Sequence, residues 1–350
     1  MQDMERIYKY LKSFPLKEKN NYNWKLIISM IKGNKDEENI YLGINNNNEK
    51  DIILVKEINI DEKKEYNKIL KELIIIFALK NREYFPKNIS KVLSNDNQYL
   101  YLLLNENIIS LNYLINSKQN KIYLSNELIK WVIYQISYGL NVLHSNNIIH
   151  HDIKPSNILI DEIGGIKISN FSCSIFKGEE SSDYTLPYAS PELLIESVKI
   201  DEKIDMWGLG LIIIELFTKK SQIFKKEEIK DKKEQLKYIL SKFGINENYS
   251  INELKKILND NEKINFKLDP KILEQIQDKE AIKLINNLLT FNPNDRYTAK
   301  QALESDYLKE YNGVDDLNIK PIVFPIDYNN KYLENKINKK EFIELITKIN

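Results

Sequence analysis

Within one eight-residue stretch, His150-His151-Asp152-Ile153-Lys154-Pro155-Ser156-Asn157, the chain sets out a carboxylate, an ammonium two residues on and an amide three residues beyond that. A carboxylate can accept a proton from a hydroxyl, an ammonium can neutralise charge on an anionic group, and an amide offers an uncharged oxygen to a hard cation. Two more charged residues stand far upstream, Lys56 at the end of an apolar run and Glu72 in a segment with one apolar face. Taken singly they are unremarkable, because a Lys at a strand end is usually solvated and a Glu on a helix usually faces water. Downstream lies Asn170-Phe171-Ser172. Of the three histidines, His150 and His151 are adjacent and His144 is nearby. No cysteine or carboxylate accompanies them at metal-ligand spacing, so no zinc site is expected.

These residues need elements to hold them. Short apolar runs rich in β-branched and aromatic residues, bounded by polar turns, predict strands at 25–31, 39–44, 52–58, 89–93 and 99–104. Between the third and fourth, 61–80 reads as a helix with Tyr66, Ile69, Leu70, Leu73 and Ile76 on one face. After Asn105 the period turns helical, with helices expected at 111–115, 127–145, 205–218, 232–243, 252–258, 279–289 and 299–305. Residues 148–160 and 166–169, which contain the eight-residue stretch, read as loops and short strands. The fold class is therefore α+β: a small antiparallel β-rich lobe with one main helix, about 23–105, then a larger mostly helical lobe, about 106–308. Residues 1–22 read as an extension with a short amphipathic helix. Residues 309–350 form a second extension, with Pro321, Pro325 and a Lys-rich helix at 339–349. No repeat of 20–50 residues is evident.

Composition sets outer bounds. Of 350 residues, 42% are hydrophobic and 29% charged, the balance of a globular chain with room for a large core. Lys plus Arg and Asp plus Glu both number 51, so no net basic field argues for a nucleic-acid partner. The longest apolar stretches, 73–79 and 209–217, fall far short of the roughly 18 residues of a membrane span. Cys173 is the sole cysteine, which excludes an internal disulfide. With the polar start, it points to an intracellular location, cytoplasmic or nuclear. Abundant Asn, Ile and Lys, as in 45–48, read as codon bias rather than a prion-like role.

Residues 150–157 resemble the catalytic loop of serine/threonine protein kinases, H-R-D-x-K-P-x-N, and sit between a helix and an apolar strand as that loop does. Other segments follow in the family's order. Val55-Lys56 resembles the β3 lysine, and Lys71-Glu72-Leu73 its helical ion-pair partner. Ser190-Pro191-Glu192 stands for A-P-E, and Asp205-Met206-Trp207-Gly208-Leu209-Gly210 for D-x-W-S-x-G. Asn292-Pro293-Asn294-Asp295-Arg296 is similar to the late segment whose Arg pairs with the A-P-E Glu. The resemblance runs from about Trp24 to Leu308. Residues 235–240 with Phe243-Gly244, and Thr185-Leu186-Pro187-Tyr188, are similar to the cyclin-dependent and MAP kinases (the CMGC group), although Ala189 stands where that group has Arg. The resemblance implies a two-lobed kinase fold, ATP and Mg2+ as cofactors, and a protein as substrate or partner. It gives Asp152 the role of base and Lys154 that of neutralising the transferred phosphoryl. Lys56, with Glu72 as its ion-pair partner in the nucleotide site, would hold phosphates, the hinge near Leu104, Asn105 and Asn107 adenine, and Asn157 and Asn170 the metal.

Three departures bear on activity. D-F-G reads Asn170-Phe171-Ser172, so a neutral amide replaces the magnesium-binding carboxylate, and Ser172 replaces a permissive glycine. The glycine-rich loop retains only Gly33 and Gly43, with acidic Asp36, Glu37 and Glu38 where phosphate would approach. His151 replaces the Arg that grips a phosphate on the activation segment, which makes switching of 171–190 through that Arg unexpected even though Ser181, Ser182, Tyr184 and Thr185 carry hydroxyls. Cys173 is expected to be a small buried residue. Two functional readings follow: a pseudokinase or weakened kinase that binds a protein partner, and an active atypical serine/threonine kinase using Asp152 with Asn157 and Asn170. A small-molecule kinase is disfavoured by Lys154-Pro155 and 190–192.

Overall fold

The computed structural model describes residues 24–31, 39–45, 48–60, 65–94, 96–104, 108–116, 124–161, 163–181, 183–195, 200–219, 231–243, 273–274, 276–315, 319–324 and 337–349, with side chains from residue 54 onward. The first elements are β1 (Trp24–Ile31), β2 (Asn39–Asn45), β3 (Asn48–Asn59), α1 (Tyr66–Leu79), β4 (Ile89–Leu93), β5 (Tyr99–Leu104) and β6 (Ile108–Ser110). Then come α2 (Leu111–Asn116), α3 (Asn126–Ser145), β7 (Ile148–Ile149), β8 (Ile158–Asp161), β9 (Ile166–Ile168) and β10 (Ile175–Phe176). The chain continues with α4 (Pro191–Ile195), α5 (Lys203–Thr218), α6 (Lys232–Lys242), α7 (Lys279–Leu288), α8 (Ala299–Leu303) and α9 (Lys339–Lys348). The helices expected within 1–22 and at 252–258 lie outside the described residues. The chain divides into two compact units, one of Met1–Ile109, Ile160–Ser172 and Ile322–Asn350, the other of Ser110–Leu159 and Cys173–Pro321.

In the first unit an antiparallel sheet runs β1-β2-β3-β5-β4. β3 begins four residues before the expected 52, because hairpin pairing with β2 carries the ladder through the polar residues up to Asn45↔Asn48. Backbone bonds, not side-chain pattern, set that boundary. Central in the sheet, β3 has β2 on one side and β5 on the other, and Lys56 lies across from Ile40 and Leu102. Helix α1 buries Ile69, Leu70, Leu73, Ile74, Ile75, Ile76, Phe77 and Leu79, more than one face of a helix. A helix that is apolar on most sides needs cover from more than one direction.

Helix α9, from the C-terminal extension, supplies part of that cover. The rings of Phe342 and Tyr66 pack in a tilted arrangement with centroids 5.2 Å apart. Ile337 N–H donates to Asn67 Oδ1 at 3.3 Å, and Lys91 Nζ donates to the carbonyl of Ile349. Phe342, Ile346 and Ile349 are buried. A capping box starts α9: Asn338 accepts from Glu341 N–H, and the Glu341 side chain returns to the Asn338 N–H.

The second unit is built on α3 and α5. In α3, Ile129, Val132, Ile133, Ile136, Leu140 and Leu143 recur at helical spacing and are buried, and Ser125 caps its start by accepting from Leu128 N–H at 3.2 Å. Helix α5 is buried from Ile204 to Leu216 and packs against α3 and α7. Each fully buried Leu or Ile contributes about 1.5–3 kcal/mol. Close packing needs glycine twice: a Cβ on Gly208 would meet the Ile153 carbonyl oxygen at 2.5 Å, and one on Gly210 would meet Leu289 Cδ2 at 2.7 Å. The first contact lets α5 lie directly under the loop that carries Asp152.

Arg296 locks the far side of this unit. It is 1% exposed, and all five of its N–H groups have acceptors. Nη1 and Nη2 grip Glu192 at 2.6 and 3.0 Å, and the remaining donors reach the carbonyls of Thr290, Lys203 and Phe291. The guanidinium also lies over the Trp207 ring at 5.2 Å.

Candidate functional site

The loop between β7 and β8 is held from beneath by Asp205 in the first turn of α5. Its two oxygens accept the N–H groups of His150 and His151, both at 2.8 Å, and Oδ2 also meets His144 Nε2 at 2.9 Å. Burial alone would push the Asp205 carboxyl up. The hydrogen bond and charge of His144, with His150, outweigh it and hold the group below the usual carboxylate range. With its backbone so pinned, His151 adopts φ 68, a left-handed conformation unusual for a residue with a β-carbon.

Asp152, Lys154 and Asn157 come together as expected. Lys154 Nζ lies 2.6 Å from Asp152 Oδ2 and also donates to Thr185 Oγ1. Asn157 Nδ2 donates to Asp152 Oδ2 at 2.9 Å and to the Asp152 carbonyl at 2.7 Å. The amide nitrogen of Asn157 is thus committed to Asp152, and its oxygen is the atom suited to a cation. Desolvation pushes the Asp152 carboxyl up, but the Lys154 ammonium prevails and keeps it ionised. Asp152 Oδ1 is buried and has no hydrogen-bond partner among the described residues. An ionised carboxylate with one oxygen tied down and the other open to accept is the arrangement a general base requires.

In the first unit, Lys56, Glu72 and Asn170 also meet. Lys56 Nζ, from β3, pairs with Glu72 Oε1, from α1, and donates to Asn170 Oδ1 at 3.2 Å. Ser172 Oγ donates to the same Asn170 oxygen at 3.0 Å. Asn170 has φ 64, a conformation that Asn adopts more readily than most residues. Phe171 beside it is buried, its ring 6.3 Å from that of Phe85.

Comparison with known proteins identifies the frame. Residues 36–308 match the protein kinase domain family. The chain belongs to that family. It is 31% identical over 215 residues to mitogen-activated protein kinase pmk-1 of Caenorhabditis elegans (59% of this chain, 54% of the relative). It is 33% identical over 221 residues to mitogen-activated protein kinase 6 of Arabidopsis thaliana (60% and 54%). It is 27% identical over 282 residues to CTD kinase subunit alpha of Saccharomyces cerevisiae (77% and 52%). The chain thus spans about half the length of the curated relatives it matches. These similarities put this kinase domain with the CMGC serine/threonine kinases and give it their two-lobed fold.

Protein kinases in general use ATP and Mg2+. The kinase domain fits a magnesium ion at Asn157, whose oxygen is a hard neutral ligand beside an ionised carboxylate. It does not fit one at Asn170. That oxygen is uncharged and already accepts from Lys56 and Ser172, and magnesium gives up water reluctantly for such a ligand. Among the described residues no group of three or more His, Cys, Asp or Glu could hold a metal ion.

Leu104 ends β5 and is buried opposite Leu54 and Ile89, while Asn105, Asn107, Ser182 and the loop 32–38 lie outside the described residues. Cys173 is half-buried, not buried as its type suggested, because it follows directly on the turn made by Ser172. Sequence reasoning missed the second donor to Asn170. The hydroxyl at 172 was read as lost glycine flexibility, when its own hydrogen bond is what engages the amide oxygen. It also missed the ring of His151 as a contact, since the motif pointed only to a lost Arg.

Proposed function

We propose that this kinase domain binds ATP but transfers its terminal phosphoryl group to protein Ser or Thr weakly or not at all, and acts chiefly by engaging a protein partner. The observation that carries this reading is Asn170 Oδ1, a neutral oxygen occupied by hydrogen bonds from Lys56 Nζ and Ser172 Oγ. Where the family presents an anion to a bridging cation, this chain presents an amide closed off by its own neighbours. Lys56 and Glu72 remain paired, which supports retained affinity for nucleotide phosphates with Mg2+ weakly bound or dispensable. A location inside the cell, cytoplasmic or nuclear, accords with this reading. No helix among the described residues is long and apolar enough to cross a membrane.

A thermal-shift titration with ATP, with and without Mg2+, tests the proposal, because a ligand of the folded state raises the melting temperature by mass action. A shift of similar size in both conditions is expected. A shift that appears only with Mg2+ would overturn it.

A second reading, an active atypical serine/threonine kinase, is favoured by Asp152. Its Oδ1 is buried and unpartnered among the described residues, and Lys154 and Asn157 hold Oδ2, which supports a working proton acceptor. On this reading Asn157 carries the cation.

A further inference from the structure

His151 occupies the position of the family's phosphate-gripping Arg, yet it is neither solvated nor idle. It is 3% exposed, and its Nδ1 lies 2.7 Å from the backbone carbonyl of Asp183 in the segment 171–190. A carbonyl only accepts, so Nδ1 carries a proton and donates it to Asp183. Nε2 is buried, and among the described residues Asp183 is the polar contact of this ring. The ring stands 6.2 Å from that of Tyr184.

Both anchors of this contact are fixed. Upstream, Asp205 holds the His151 N–H at 2.8 Å, which keeps the backbone in its left-handed turn and aims the ring. Downstream, the hydroxyls of Thr185 and Tyr184 are already engaged. Thr185 Oγ1 accepts from Lys154 Nζ, Tyr184 Oη reaches the Leu193 carbonyl at 3.5 Å, and Lys232 lies over the Tyr184 ring at 5.7 Å. The start of the segment is tied separately: β10 pairs with β7, Lys177 N–H donates to the Asn147 carbonyl at 2.8 Å, and Phe176 N–H donates to Glu179 Oε2 at 3.0 Å.

We propose that His151 is a positioning residue, a built-in latch that orders the segment around Asp183–Thr185 through a hydrogen bond to the main chain and so makes its conformation independent of phosphorylation. An Arg at this position needs an added phosphate to complete the link. The imidazole completes it with the main chain, which is always present.

The test is chymotryptic cleavage after Tyr184 in the full chain, followed by mass spectrometry, under conditions where the folded protein is otherwise resistant. His151→Gly tolerates the left-handed backbone and removes the donor, whereas His151→Asn also tolerates it and keeps an N–H near the place of Nδ1. Cleavage is expected to be about five- to tenfold faster in His151→Gly, the effect of one lost hydrogen bond on local opening, and near the native rate in His151→Asn. Exhaustive phosphatase treatment of the native chain is expected to leave the rate unchanged. This arm stands alone if the Gly variant fails to fold. Native-rate cleavage in a folded His151→Gly variant, or accelerated cleavage of the native chain after phosphatase, would overturn the proposal.

Discussion

Replacing Asn170 by Asp restores the charge whose loss dominates this site, and its effect follows from the geometry. The new carboxylate would stand about where Oδ1 stands, 3.2 Å from Lys56 Nζ. Coulomb's law at an effective dielectric of about 20 gives roughly 5 kcal/mol of gross attraction at that separation. Glu72 already shares the lysine, and stripping water from the carboxylate returns much of this, leaving the free protein little changed in stability. Towards a divalent cation and the charge developing on a transferred phosphoryl group, the added anion has no such competitor. Its contribution there is about 3–5 kcal/mol, or roughly 10²–10⁴ in rate. The assay is single-turnover transfer from terminally labelled ATP to a generic protein substrate, comparing native, Asn170→Asp and Asn170→Asp with Asp152→Asn. A gain in that range, abolished by the second substitution, is expected. A gain below about tenfold would refute this, for it would mean that the amide was not the limiting deficit.

Three further outcomes follow from packing and charge. Arg296→Ala leaves Glu192 buried without its partner and is expected to cost about 3–5 kcal/mol in denaturant unfolding; a cost below 1 kcal/mol would show that the pair is not buried in solution. Phe342→Ala removes a fully buried ring from the α9–α1 contact, a loss of about 3–5 kcal/mol, so hydrogen exchange is expected to lose protection over 339–348 and to rise in α1. Unchanged exchange in α1 would mean that α9 does not brace it. Asp205 titrates below its unfolded value, so its contribution is fully present above the ordinary carboxylate pKa near 4 and is lost as pH falls through the depressed one. Asp205→Asn should therefore lower stability at neutral pH and flatten the acid limb of the stability curve, whereas an unchanged limb would contradict the assigned role.

Much of this was legible in residue spacing. The strands β4 and β5 fall where alternating apolar runs put them, and Asp152, Lys154 and Asn157 meet because a short loop between two strands leaves them few other arrangements. Helix α1 was legible in type but begins at Tyr66, later than its pattern, with no side-chain cap at Glu65 to mark the start. What spacing could not supply were contacts made by main-chain atoms. The Asp183 carbonyl that receives His151 and the Ile153 carbonyl that demands Gly208 have no residue-type signature. The docking of α9 had a partial one. Phe342, Ile346 and Ile349 recur at helical spacing, and α1 carries more apolar surface than one sheet face can cover, but nothing in either segment names the other.

Whether the unmodified chain transfers phosphate separates a silent kinase domain from a working one. The direct measurement is incorporation of label from ATP into protein by the purified native chain in saturating Mg2+, set against Asp152→Asn prepared in parallel. The two are expected to be indistinguishable or nearly so. Sustained incorporation by the native chain that needs both Mg2+ and Asp152 would contradict this.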